Sequence, residues 1–258
     1  MIAVFAALRL EVQRFLRRVD VQERGRLGSF PVTVGEHEGR PILVCHTGVG
    51  SRAFEAATMV LGRYRPQFVL SVGLAGALSP ECTVGDLVFC EQVYRAEPGS
   101  EAGTVADPIR SDLLLLETAR QAASGRGLPA RTGSSLTTSY LVAEPSQKAL
   151  LRQTTGMDVV EMESYWVGRA AQEERLSFLA VRVISDGVGD PVPDIPGVVT
   201  PEGEQRLRQA LPYVLRHPAS IPHLLRLAGG ELRAVANLTR FLEAFVRECP
   251  APSLARPV

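Results

Sequence analysis

Residues 156–190 read GMDVVEMESYWVGRAAQEERLSFLAVRVISDGVGD, and the fold is decided there. The stretch begins as a short strand-like run and turns into a helical pattern through Glu173. It then enters LSFLAVRVIS, a β-forming apolar run that stops at a polar loop. Strands alternating with helices argue for a mainly parallel sheet covered on both faces.

The same order recurs on the N-terminal side. Residues 2–7 (IAVFAA) predict a buried strand, and Leu8, Val12, Phe15 and Leu16 follow at helical spacing. VTVGEHEGRPILVCHTGVG holds two β-rich runs around a glycine-containing turn, and SRAFEAATMVLGRY predicts an amphipathic helix ending before Pro66. QFVLSVGLAGAL and DLVFCEQVYRAE predict further strands, and SDLLLLETARQAAS a helix with Ser111 as its N-cap. The expected class is therefore α/β: one domain over residues 1–250, built as a three-layer α/β/α sandwich around a mixed, mainly parallel sheet. From Pro191 onward, prolines including Pro196, Pro201, Pro212, Pro218 and Pro222 interrupt leucine-rich runs, which predicts short helices packed on the sheet or on a partner subunit. Residues 251–258 lack apolar periodicity and are expected to be disordered.

Composition narrows the function classes. Lysine plus arginine and aspartate plus glutamate number 28 each, so no net field attracts nucleic acid or an anionic membrane. The four cysteines form no CxxC pair and no metal-ligand spacing with the four histidines, so no metal is expected and a reducing cytoplasm is the simplest location. The N-terminal stretch lacks the order of a signal peptide, and no apolar run approaches the roughly 18 residues of a membrane span. A small, roughly neutral ligand fits this balance best.

In parallel sheets ligands sit beyond the carboxyl ends of strands, which directs attention to Glu11, Gly48, Gly73, Glu163 and Asp186. Asp186 follows a buried strand directly, so its carboxylate needs a partner or a ligand. Ser-Asp-Gly is also ordinary turn chemistry, and spacing alone leaves both readings open. Glu161 and Glu163 interrupt an apolar strand-to-helix junction, and side chains two apart on a strand share a face, so both are expected in one cleft. A carboxylate suits ribose because its oxygens accept both hydroxyl protons; Glu163 at a helix start, favoured by the macrodipole, is the plainer alternative. Glu11 alone reads as a solvated helix residue unless it reaches that cleft. The glycines of HTGVGS and SVGLAGAL permit close backbone approach but form neither a dinucleotide fingerprint nor a P-loop.

In order, AALRLEV, HTGVGSRAFEAA, SVGLAGALSPECTVGDLV, VVEMES and VRVISDG resemble the nucleoside phosphorylase and nucleosidase superfamily over residues 1–190. The branch resembled contains methylthioadenosine/adenosylhomocysteine nucleosidase and the hopanoid-associated phosphorylases. The resemblance implies that Asp186 protonates N7 of a leaving purine, with Arg182 and Ser185 positioning it. It implies that Glu163 binds the ribose 2′ and 3′ hydroxyls, that Met162 lines the sugar pocket beside the accompanying acid Glu161, and that Glu11 activates water. Gly73, Leu74 and Ala75 would approach the substrate, and Leu136 and Thr137, within GSSLTTSYLVAEPSQKAL, would meet the base. Leu74 stands where relatives carry a polar residue, and SVGLAGA lacks the Arg and Ser that phosphorolytic branches place near phosphate. Glu11 would repel phosphate yet serve water, so hydrolysis is expected. Phosphorolysis through Arg9, Ser51 and Arg52, with inorganic phosphate as co-substrate, is the alternative; a noncatalytic nucleoside-binding relative is the second. No cofactor is implied. The leucine-rich tail resembles that of hopanoid-associated members and implies a large apolar 5′ group, and relatives suggest a homodimer, with His46 and Trp166 in packing or interface roles.

Overall fold

The computed structural model describes residues 1–96, 107–193, 200, 202–203 and 221–250. Among these residues ten strands form one sheet: β1 (Ile2–Ala6), β2 (Asp20–Leu27), β3 (Phe30–His37), β4 (Arg40–His46), β5 (Phe68–Ala77), β6 (Leu87–Arg95), β7 (Ile109–Arg110), β8 (Ala130–Thr137), β9 (Val159–Glu161) and β10 (Ser177–Asp186). The helices are α1 (Arg9–Leu16), α2 (Arg52–Tyr64), α3 (Leu113–Gly125), α4 (Pro145–Thr155), α5 (Ser164–Glu173) and α6 (Ile221–Glu248).

The centre of the sheet, β4-β1-β5-β10, is parallel throughout. Antiparallel pairing begins at its flanks, with β3 on β4, β2 on β3, β6 on β10 and β9 on β5. Because β6 also pairs with β8, and β8 with β9, the strands β5, β10, β6, β8 and β9 close into a ring. Alternate residues of the central strands face opposite layers, as the two-residue period of a strand requires. Ile2, Val4, Leu70 and Val181 pack under α1, α3 and α6, while Ala3, Phe5, Val69 and Ala180 pack under α2 and α5. The chain is thus a three-layer α/β sandwich with a mixed sheet.

Four local expectations need correction. Ser111 does not cap α3; Asp112 does, its carboxylate accepting from the Leu114 and Leu115 N–H groups, while Ser111 donates to the Cys90 carbonyl. The segment expected as a base-binding loop is the end of β8, a short loop and the start of α4. β2 was not anticipated, because DVQERGRL is an exposed, charged edge strand with no apolar alternation to announce it. Among its described residues the tail holds one 28-residue helix, α6; Pro222 sits in its first turn, where its missing N–H breaks no helical bond. Pro196, Pro201, Pro212, Pro218 and residues 251–258 lie outside the described residues.

Candidate active site

The carboxyl ends of β1, β5, β9 and β10 bring three acids around one arginine. Arg182, on β10, is buried and donates through Nη2 to Ser71 Oγ at 2.9 Å and to Glu161 Oε2 at 2.8 Å, with Nε also on Glu161 at 3.2 Å. Glu161 Oε2 further accepts the N–H groups of Glu163 (2.9 Å) and Ser164 (2.7 Å) at the start of α5, and Oε1 accepts the Thr137 hydroxyl. Burial works against its charge, but Arg182 and these donors hold its carboxyl below the ordinary range. Glu161 is therefore the helix anchor and the arginine's counter-ion. It does not share a free cleft face with Glu163, because β9 ends at Glu161 and Glu163 is already the N-cap of α5.

Glu11 and Glu163 are the acids left without that pairing. Glu11 lies in the first turn of α1, its Oε2 accepting from Leu8 N and its Oε1 from Leu74 N, both at 2.8 Å. Burial pushes its carboxyl up to about 7, against the pull of those two N–H groups and of Arg182. Glu163 accepts from Gly50 N at 2.9 Å. Burial first, and then the charge of Glu161, raise it to about 8, with Arg182 and Gly50 opposing. One guanidinium cannot neutralise three carboxylates, and the excess appears as two acids that hold protons near neutrality. Gly73 leaves the room: a Cβ there would lie 2.6 Å from Glu11 Oε1 and 2.7 Å from Arg182 Nη1.

Asp186 ends β10 and is 8% exposed. A register shift between Ile184 and Asp186 makes Ser185 the extra residue of a bulge, a device that re-aims the side chains beside it. The Ser185 hydroxyl donates to Asp186 Oδ1 at 2.6 Å, and Lys148 Nζ, from α4, donates to Oδ2 at 2.5 Å. Lys148 is fully buried and also donates to the Gly187 carbonyl (2.8 Å) and the Asp190 carbonyl (3.0 Å). Gly76, opposite Asp186 on β5, approaches so closely that a Cβ would sit 2.9 Å from Oδ2. Glu11 and Asp186 thus rest against Gly73 and Gly76 of one strand, positions about 10 Å apart.

Several residues stand elsewhere than the sequence implied. Arg182 does not touch Asp186; it binds Glu161 and Ser71. Leu136 is fully buried and Thr137 is spent on Glu161 and on the Tyr165 N–H, so neither presents a face to a base. The next loop instead carries Tyr140 and Leu141, 51% and 45% exposed, between β8 and the helix that holds Lys148. Met162 is half-buried between the two acids, and Ala75 is buried, its carbonyl accepting from Ser185 at 3.3 Å. Lys148 was missed because a lysine in a polar helix stretch normally reads as solvated. Tyr140 and Leu141 were legible, as the first apolar pair beyond a strand end.

Beside the Glu163 anchor at Gly50 opens a cavity of about 280 Å³ lined by Arg9, Arg26, Arg52, Ser29, His46 and Thr47 among others. Burial and the charge of Arg9 push His46 down to about 4, so its ring is neutral at pH 7. Among the described residues no three His, Cys, Asp or Glu side chains gather as a metal-binding group, and no helix is long and apolar enough to cross a membrane.

Known proteins share this architecture. The methylthioadenosine/S-adenosylhomocysteine nucleosidase of Geobacillus thermodenitrificans is 28% identical over 204 residues, covering 73% of this chain and 84% of the relative. The Bacillus subtilis nucleosidase of the same name is 25% identical over 203 residues, covering 73% and 86%. Among solved structures, futalosine hydrolase of Helicobacter pylori superposes with a TM-score of 0.75 at 19% identity, covering 96% of this chain and 97% of its own. The Neisseria meningitidis nucleosidase bound to methylthio-immucillin-A gives 0.74 at 19% identity, covering 95% and 98%. A family model described as the phosphorylase superfamily matches residues 1–216, and the chain belongs to that superfamily.

Proposed function

We propose that this chain is a nucleosidase that hydrolyses the N-glycosidic bond of an adenosine-type nucleoside. The observation that carries the reading is geometric: Arg182 is paired with Glu161, while Glu11, held by Leu8 and Leu74, and Glu163, held by Gly50, stand as further acids at the same end of the sheet, and Asp186 closes β10 against Gly76 of β5. A general base works best when it titrates near the operating pH, and Glu11 at about 7 meets that condition. In this assignment Glu163 takes the ribose hydroxyls and Glu11 takes a proton from the attacking water. Asp186 protonates N7, so that the base leaves neutral while charge develops on the ribose beside the acids. Tyr140 and Leu141, not Leu136 and Thr137, offer the apolar surface for the purine. The names of the relatives support hydrolysis.

The arginine-lined cavity favours a second reading, phosphorolysis, because Arg9, Arg26 and Arg52 line it against one carboxylate, Glu202 on Arg52, and guanidinium groups suit a phosphate dianion. Release of free base from a panel of 5′-substituted adenosines, measured with and without phosphate, separates the two. Equal release in both is expected; release that requires phosphate overturns hydrolysis. In the same assay Asp186→Asn is expected to stay folded and lose about 10²–10⁴-fold in turnover.

A further inference from the structure

Lys148 is the strongest buried charge that this scheme leaves unused. Its side chain is fully buried, and its three N–H bonds are spent on Asp186 Oδ2, the Gly187 carbonyl and the Asp190 carbonyl. An ordinary ion pair at the surface contributes little, but a buried one must be compensated on every side to persist, and this one is. The arrangement also raises a chemical problem. Both oxygens of Asp186 accept from protein donors, Ser185 at Oδ1 and Lys148 at Oδ2, which describes a carboxylate and not a carboxyl with a proton to give. The nearest transferable proton belongs to the ammonium group.

We propose that Lys148 is the proton store of the leaving-group step and acts through Asp186; the proposal rests on the nucleosidase reading above. As the C1′–N9 bond breaks and its electron pair enters the purine, a proton on Lys148 Nζ passes to Asp186 and the carboxyl so formed gives it to N7. Lys148 is left as a neutral amine whose two remaining N–H bonds still hold Gly187 and Asp190. Water adds to the ribosyl cation and loses its proton to Glu11. Exchange with solvent then returns one proton to Lys148 and removes one from Glu11, so one water and one nucleoside give one sugar and one neutral base. Ser185 accommodates the change, since its single hydroxyl proton has a second acceptor, the Ala75 carbonyl, at 3.3 Å.

The charged surroundings favour Lys148 as the donor. Asp186, from β10, is the carboxylate on its ammonium group. Asp190 turns its carboxylate away, to the Gly187 N–H and to Arg226 of α6, whose neighbour His223 bonds the Pro191 carbonyl. On α4 itself Arg152 is committed to Asp158. Lys148 is thus a positioning and relay residue, and substrate touches Asp186.

The test is the pH dependence of turnover in wild type, Lys148→Gln and Lys148→Arg, with Asp186→Asn and the Lys148→Gln/Asp186→Asn double variant. Glutamine keeps donors for the two carbonyls but carries no transferable proton. The expected result is that Lys148→Gln loses about 10²–10⁴-fold near pH 8 with little change in KM. The pH profile of Lys148→Gln should differ in shape from that of wild type. Arginine should not rescue, because it does not release a proton. In the Asp186→Asn background the second substitution should have no further effect, since both lie on one proton path. If Lys148 merely sits beside an acid that carries its own proton, Lys148→Gln keeps or gains activity, which overturns the relay. A uniform, pH-independent loss, or additive losses in the double variant, overturns it equally. A wild-type chain inert on every purine nucleoside, with or without phosphate, overturns the nucleosidase reading and the relay together.

Discussion

Glu163 combines a role at the proposed ribose site with an unfavourable environment for its charge. Its carboxyl is raised from an ordinary value of 4.5 to about 8. A group whose folded value lies above its unfolded value stabilises the fold below the unfolded value and loses that contribution as pH climbs through the folded one. For Glu163 the window runs from pH 4.5 to about 8, and Glu11, raised to about 7, loses its contribution within the same window. Wild type is therefore expected to lose stability on going from pH 5 to pH 8.5. Glu163→Gln keeps the acceptor for Gly50 and cannot ionise, so it should exceed wild type at pH 8.5 by roughly 1–3 kcal/mol, after allowance for its partial exposure, and match it near pH 4.5. Thermal midpoints of the two proteins across that range check this; a constant difference at all pH values would sink it. The same residue shows how far the sequence reaches. Its carboxylate at a strand-to-helix junction was visible as a candidate, but its separation from Glu161 depends on β9 stopping at residue 161 and on Arg182 arriving from β10, neither of which spacing encodes.

At the scale of elements, apolar runs with turn punctuation placed β1, β5, β6, β10, α1, α2 and α5, because each buries one face against the opposite layer. Elements that bury little or are polar escaped: β2 for its charge, and α4 because Lys148 faces inward from an otherwise polar helix. α6 was misjudged for a different reason. The prolines read as interruptions, yet Ile221–Glu248 is one continuous helix, with Gly229 and Gly230 inside it. Their surroundings differ. A Cβ at Gly229 would meet nothing within 4 Å, whereas one at Gly230 would lie 2.9 Å from Val84 Cγ1 and 3.1 Å from the Ser185 carbonyl. Gly229→Ala should then return the helix propensity lost to glycine, about 1 kcal/mol, a rise of roughly 2–4 °C in Tm. Gly230→Ala should lower stability by about 1–3 kcal/mol, because the contact it crowds includes backbone of the bulge that sets Asp186. Calorimetry of the two variants decides; equal shifts would mean that α6 does not pack on that bulge.

The whole molecule offers its own probe in four cysteines spread across it. Cys45 lies on β4, Cys82 between β5 and β6, Cys90 on β6 and Cys249 just beyond α6; all are unbonded and buried. Burial raises the thiols of Cys45, Cys90 and Cys249 to about 12 and that of Cys82 to about 11. The thiolate is the reactive form, so labelling of the native chain must pass through opening of the structure. α6 is tied to the rest by Phe241 against Phe89, with ring centroids 5.3 Å apart, and by Asn237 donating to the Gly85 carbonyl at 2.8 Å. Its inner stripe of Ala234, Leu238, Phe241, Leu242 and Phe245 belongs to the same buried cluster as Val4 and Leu70 of the central strands. If residues 1–250 are one cooperative unit, all four thiols should react with an excess of a thiol reagent at pH 8 at a single slow rate, and mass spectrometry should find unlabelled and fully labelled chains with few intermediates. Early labelling confined to Cys249 would mean that α6 peels away independently, and the unit that folds as one would then end before residue 221.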